Sequence, residues 1–171
     1  MRPIQRAVRA SLFDRKVHTE LFFDSDATAD GVLLVAGVSA VTFFNLVVRF
    51  GFGAFSVTGL LQTVIGGLVA WLILAAGTWV AATKLFDGDG QIQTMMRLHG
   101  HCELPLVLTV FGPIGAAVGL VWSAAAKIPA TKEGGSLSTA KAVAALLVGL
   151  ALVFIVRMIF RLPFMVFSAL F

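Results

Sequence analysis

Residues 50–83 read FGFGAFSVTGLLQTVIGGLVAWLILAAGTWVAAT, a run without a single Asp, Glu, Lys or Arg. Four more runs share that property: 31–48, 104–126, 142–156 and 162–171, so 100 of the 171 residues lie in charge-free stretches. A helix or sheet of a soluble domain needs a polar face, and chain this continuously apolar has none. Charged residues make up 13% of the sequence, against about 25% in a typical soluble domain. The pattern specifies an all-α, polytopic integral membrane bundle with four to five membrane-inserted helices. It excludes soluble enzymes, nucleic-acid-binding domains and secreted disulfide scaffolds. The single cysteine, Cys102, has no partner for an intramolecular bridge.

Working outward from 50–83, the spans are expected at about 31–49, 59–84, 104–126 and 139–160, each near the ~20 residues that cross a bilayer core. Asp24, Ser25, Asp26 and Asp30 supply N-cap chemistry before the first. Gly51, Gly53 and Ser56 mark a turn, Asp87–Gly90 a break, and Gln91–Glu103 a short polar connector with a helical turn or two. In 104–126, Gly112-Pro113 falls mid-run, and a proline inside a helix removes a hydrogen bond and kinks the axis. That region is therefore one kinked span or a re-entrant pair that enters and leaves on one side. A polar loop is expected over 127–141, Pro163 is expected to stop the last helix, and 162–171 is an apolar tail. All of this is one membrane domain, 1–171.

Ahead of the spans, residues 1–24 place Ile4, Val8, Leu12, Val17 and Leu21 at roughly helical spacing among Arg2, Arg6, Arg9, Arg15 and Lys16. This is the pattern of an amphipathic basic helix on an anionic membrane surface, or of a helix packed on its own protein. No apolar stretch follows the first charges, so no cleaved signal peptide is expected. The net charge of +4 then reports orientation and headgroups, not nucleic acid. Four spans place nine Lys and Arg on the N-terminal side and four opposite; a folded-back 104–126 places ten against three. Both counts put the N-terminus in the cytoplasm. The Ala-, Val- and Gly-rich composition suits a bacterial plasma membrane.

His99, His101, Cys102 and Glu103 form the one metal-like cluster, with His99 sharing a helix face with Cys102 and Glu103. A closed zinc site takes four ligands and the only other histidine is His18, so the cluster reads as a headgroup-level polar segment and no metal or cofactor is expected. No acid falls inside a span, which argues against proton-coupled transport and catalysis. Gly112, Gly115 and Gly119, with a second small face at Gly66, Gly67, Ala70 and Gly77, allow close helix packing within the chain or between copies. Arg157 and Arg161, one turn apart, suit a lipid phosphate or plain headgroup anchoring.

Three segments carry a family resemblance. SLFDRKVHTELFFDSDATADGVLLV (11–35), LFDGDGQIQTMMRLHGHCELP (85–105), and VWSAAAKI (121–128) followed by GGSLSTAKA (134–142) resemble the Yip domain family of Ypt/Rab-interacting polytopic membrane proteins, in a bacterial-type member. Gly100 and Pro105 stand where that family has its Gly-Tyr-x-x-x-Pro stretch, with His101 in place of the aromatic. Trp122 and Lys141 stand where it has a Trp and then Leu-Ser-x-x-Lys-Ala. The resemblance implies five spans, membrane organisation and protein–protein association. The Asp-Leu-Tyr stretch of eukaryotic members is missing, and Pro105 to Trp122 is short. The expected function is a non-enzymatic membrane organiser or adaptor that binds the anionic bilayer and other membrane proteins or itself. The alternative is a small oligomeric channel or transporter component using Asn45, Gln62 or Thr63.

Overall fold

The computed structural model describes the backbone of residues 3–170 and the side chains of residues 3–160. Seven α-helices follow one another: α1 (Pro3–Ser11), α2 (Arg15–Phe23), α3 (Ala27–Phe50), α4 (Val57–Lys84), α5 (Ile92–His101), α6 (Gly112–Gly135) and α7 (Thr139–Leu170). Two 3₁₀ segments, Phe52–Ala54 and Leu104–Phe111, join α3 to α4 and α5 to α6. Four stretches are long and apolar enough to cross a membrane: Ala27–Phe50, Val57–Lys84, Ile92–Gly135 and Thr139–Phe160. The chain is an all-helical integral membrane protein.

The third stretch is folded back on itself. At Gly112 the backbone takes φ 92°, a conformation glycine adopts without steric cost, and the chain reverses there. Pro113 then lies in the first turn of α6, where its missing N–H costs nothing. Leu104–Phe111 runs antiparallel against α6 so closely that a Cβ on Gly119 would lie 2.5 Å from the Pro105 carbonyl oxygen. One on Gly115 would strike the Leu108 carbonyl. The tip reaches the far end of α3, where Asn45 donates to the Thr109 carbonyl at 2.9 Å.

This reversal fixes the topology. α3 leads away from the N-terminal end and α4 returns to it; the arms of the hairpin go out and back, and α7 leads away again. The two glycine-rich breaks meet at the N-terminal end, where Asp89 N–H donates to the Gly135 carbonyl. A Cβ on Gly88 would sit 2.5 Å from that same oxygen, so side chains there would force the two loops apart. α4 and α7 pack antiparallel through Gly77 and Gly149.

Several boundaries differ from the sequence reading. Residues 3–23 form two helices, broken where Phe13 takes φ 62°. α3 starts at Ala27, and Asp26 makes no side-chain cap, because Asp24 instead accepts the Asp26 N–H and pairs with Arg6. The connector 91–103 holds a full helix, α5, whose Met95 and Leu98 are completely buried. Residues 127–135 are helical, so the expected loop shrinks to the few residues before Thr139. Pro163 does not stop α7, which continues to Leu170. A proline inside a helix removes one hydrogen bond and kinks the axis without obliging the helix to end. The side chain of Arg161 lies outside the described residues, and Arg157 is exposed on α7.

Candidate functional site: a buried polar seam

The chain's chemistry collects where α5 and the turn after it face α6. α5 ends at His101, and the next two residues continue the same face toward α6. Three rungs connect the arms. The His99 ring Nε2 shares a hydrogen bond with the Thr131 hydroxyl at 2.9 Å. Cys102 Sγ donates to the Ala126 carbonyl at 3.4 Å. Lys127 Nζ lies 3.1 Å from Glu103 Oε1 and also donates to Ser123 Oγ.

Lys127 and Glu103 are both buried, at 3% and 8% exposure. From the sequence Glu103 belongs to a headgroup-level polar segment beside His99 and Lys127 to a loop; the fold instead packs the two together in the interior. Each charge is tolerable there because the other neutralises it, and Ser123 gives Lys127 a further acceptor. Ser123, Lys127 and Thr131 recur every fourth residue, a polar stripe along one face of α6. That spacing was available in the sequence, but only to a reading that kept 127–135 helical.

The N-terminal helices close over this seam. Trp122 Nε1–H donates to the Ser11 carbonyl at 2.7 Å, capping the end of α1. Arg97 Nη1 donates to the Leu21 and Phe22 carbonyls at 3.4 and 3.2 Å, capping the end of α2. Both contacts satisfy carbonyls that a helix terminus leaves open. Val17, Leu21 and Ala10 pack with Leu98, Cys102, Ala126 and Ala130 into one apolar core. His18 is fully buried on α2, and its pKa is pushed down to about 4 by burial first, with Asp14 opposing and His101 adding to the shift. Both nitrogens of His18, Nδ1 of His99 and Nε2 of His101 are buried without a protein partner.

The cations of α1 are held by neighbouring acids. Arg6 pairs with Asp24 at 2.7 Å and Asp30 at 3.7 Å, and Arg9 with Asp14 at 2.7 Å and Glu20 at 3.1 Å. The Arg9 hydrogen bond holds the Asp14 carboxyl below its ordinary range, and the Arg6 hydrogen bond does the same for Asp24.

The remaining sequence-predicted residues have structural contacts of their own. Gly100 meets Gly31, with room for no more than a hydrogen: a Cβ there would lie 2.8 Å from the Gly31 Cα. Pro105 abuts Gly119, and Lys141 Nζ donates to the Phe86 carbonyl at 3.0 Å. His101 turns away from His99 and bonds the Arg97 carbonyl through Nδ1 at 2.8 Å. His99, Cys102 and Glu103 reach three different partners, and no group of three His, Cys, Asp or Glu among the described residues is placed to hold a metal ion. Asn45, Gln62 and Thr63 do not converge: Asn45 holds the hairpin tip, Gln62 faces outward and Thr63 bonds back to Gly59.

Comparison with curated proteins and with solved structures yields no match. The Yip1 domain matches residues 23–160, from the end of α2 through most of α7, and takes in the hairpin and its seam. With most of its length covered, the chain belongs to the Yip1 domain family.

Proposed function

We propose that this Yip1-domain membrane protein is a non-enzymatic organiser or adaptor that binds other membrane proteins through the outward faces of its helices. The observation that carries the reading is the distribution of chemistry. Glu103, Lys127, His99 and Cys102 are engaged with one another's arms inside the hairpin. The outward faces away from α1 carry large apolar side chains such as Leu33, Leu147 and Ile155. Groups committed to holding two arms together are poorly disposed to serve as acid, base or nucleophile, and the outward helix faces are the surface left for packing against a neighbouring membrane protein. The folded-back arrangement places ten Lys and Arg on the N-terminal side and three opposite, which supports a cytoplasmic N-terminus. The Ala-, Val- and Gly-rich composition supports a bacterial plasma membrane as the host.

Photoreactive residues at positions 33, 147 and 155, activated in native membranes, test the adaptor reading. Discrete protein adducts on at least one face, with no solute flux above that of empty liposomes, are expected. Lipid adducts alone at all three positions, or a flux abolished by Asn45→Leu, would contradict it.

A further inference from the structure

The basic N-terminal segment suggests a helix held to the membrane by its charges, but the contacts made by α1 describe a different attachment. Ala7, Ala10 and Ser11 face the protein and are buried. Arg6 and Arg9, on the flanks, are paired with Asp24, Asp30, Asp14 and Glu20 of this same chain. The remaining face, continued through the turn after α1, carries large apolar side chains at four-residue spacing, Ile4, Val8 and Leu12, exposed by 64%, 42% and 62%, with Phe13 at 46% and one exposed polar residue, Gln5, beside them. A helix on a water-washed surface would carry its polar residues there.

The row does not stand alone. Phe13 lines a shallow apolar groove with Val118, Val121 and Trp122 of α6, one arm of the membrane hairpin. Trp122 ties that groove to the end of α1 through the Ser11 carbonyl. Val118 and Val121 are exposed at 49% and 69% and face outward on a span. The apolar row of α1 is therefore a lateral continuation of a surface already committed to lipid.

We infer that α1 is embedded in the bilayer, with the Ile4–Val8–Leu12 row and Phe13 among the acyl chains beside α6, and that its attachment is apolar and not electrostatic. The occupant of this face is the lipid of the membrane. Interfacial helices bind through buried apolar area plus attraction of free cations to anionic headgroups. On α1 the second contribution is weakened because Arg6 and Arg9 are paired within the protein. The consequence is an anchor that works in neutral lipid and survives salt.

Nitroxide labels at cysteines replacing Ile4, Val8 and Leu12 test this, one at a time, in nanodiscs holding one copy of the full chain. All three positions are exposed, so the label leaves the packing intact, and the native Cys102 is buried away from reagent. A label at Thr19, on the exposed face of α2, is the aqueous reference. In pure phosphatidylcholine, labels at 4, 8 and 12 are expected to collide more with lipid-dissolved oxygen than with a water-soluble nickel chelate, and the label at 19 the reverse. The ratio is expected to change by less than twofold on adding 0.5 M salt or on replacing a third of the lipid with phosphatidylglycerol. Dominant nickel collisions at 4, 8 and 12 would overturn the inference, as would labels shielded from both reagents, the mark of a protein occupant. Oxygen access that appears only with anionic lipid, or is lost in salt, would overturn the apolar attachment.

Discussion

The α4–α7 contact and the α5–α6 contact join helices in the same bilayer by opposite means. Between α4 and α7 the backbones touch: a Cβ on Gly77 would lie 3.2 Å from the Gly149 Cα, and one on Gly149 would lie 2.9 Å from the Leu74 carbonyl oxygen. The joint is built on small residues, with the Thr78 hydroxyl buried against Gly149, and its strength is van der Waals packing at short range. Between α5 and α6 the joint is a ladder of polar groups with a buried ion pair at its base. Small residues bring helices together but tolerate sliding, whereas a charge in a low-dielectric interior has one acceptable partner. The polar joint thus sets the register of the hairpin, and the N-terminal helices are built onto it through Trp122 and Arg97.

If the two joints differ in this way, they respond differently to substitution. The largest effect is expected at Lys127→Met, which strands Glu103 as an uncompensated buried charge and should cost about 3–5 kcal/mol. Adding Glu103→Met should recover most of that loss, because two well-packed apolar residues replace the pair. Thermal unfolding of both variants in nanodiscs measures it, and additive losses would remove the ion pair from the account.

The next effect is graded in pH and confined to the polar side. His18 is neutral in the folded protein, with its pKa lowered to about 4 from an ordinary 6.5. Its contribution is complete above pH 6.5, declines as the solution is acidified through that value, and levels off below about 4. The slope in that window approaches one proton, about 1.4 kcal/mol per pH unit. His18→Leu should lower the slope of this part of the stability–pH curve by about one proton; an unchanged slope would mean that other groups carry it.

At the small-residue joint, Gly149→Leu should cost about 1–3 kcal/mol by overpacking against α4. Gly66 has nothing within 4 Å of a built Cβ, so Gly66→Ala should be neutral or stabilising by up to about 1 kcal/mol. Equal losses at both glycines would show that spacing alone, not contact, governs them. The smallest effect is expected from Trp122→Phe, which removes one hydrogen bond to the Ser11 carbonyl and should cost about 1 kcal/mol. Its signature is faster proteolysis within residues 3–23 and not elsewhere.

The difference between the joints also explains what the sequence made legible. Charge-free runs locate the spans, and the small-residue spacing of Gly112, Gly115 and Gly119 marks the hairpin's inner face, because both are local patterns. The polar joint is not local. Glu103 and Lys127 are 24 residues apart, and each looks like an interface residue until the other is placed beside it. Lys127, Pro129, Thr131, Lys132 and Glu133 together have the composition of a loop, yet α6 runs through them to Gly135. Its helical character there follows from tertiary pairing that overrides local preference. Likewise Arg6 and Arg9 resemble headgroup ligands until α2 and α3 supply their acids.

The central claim is that the chain folds back at Gly112, and topology tests it most directly. The account places Ser136 on the same side of the membrane as the N-terminus, with the C-terminus opposite. Single cysteines at positions 1, 136 and 171, probed with a membrane-impermeant maleimide in sealed, oriented vesicles, read all three at once. Shared labelling of 1 and 136 with opposite labelling of 171 is predicted; labelling of 1 and 171 from one side and 136 from the other would contradict the hairpin.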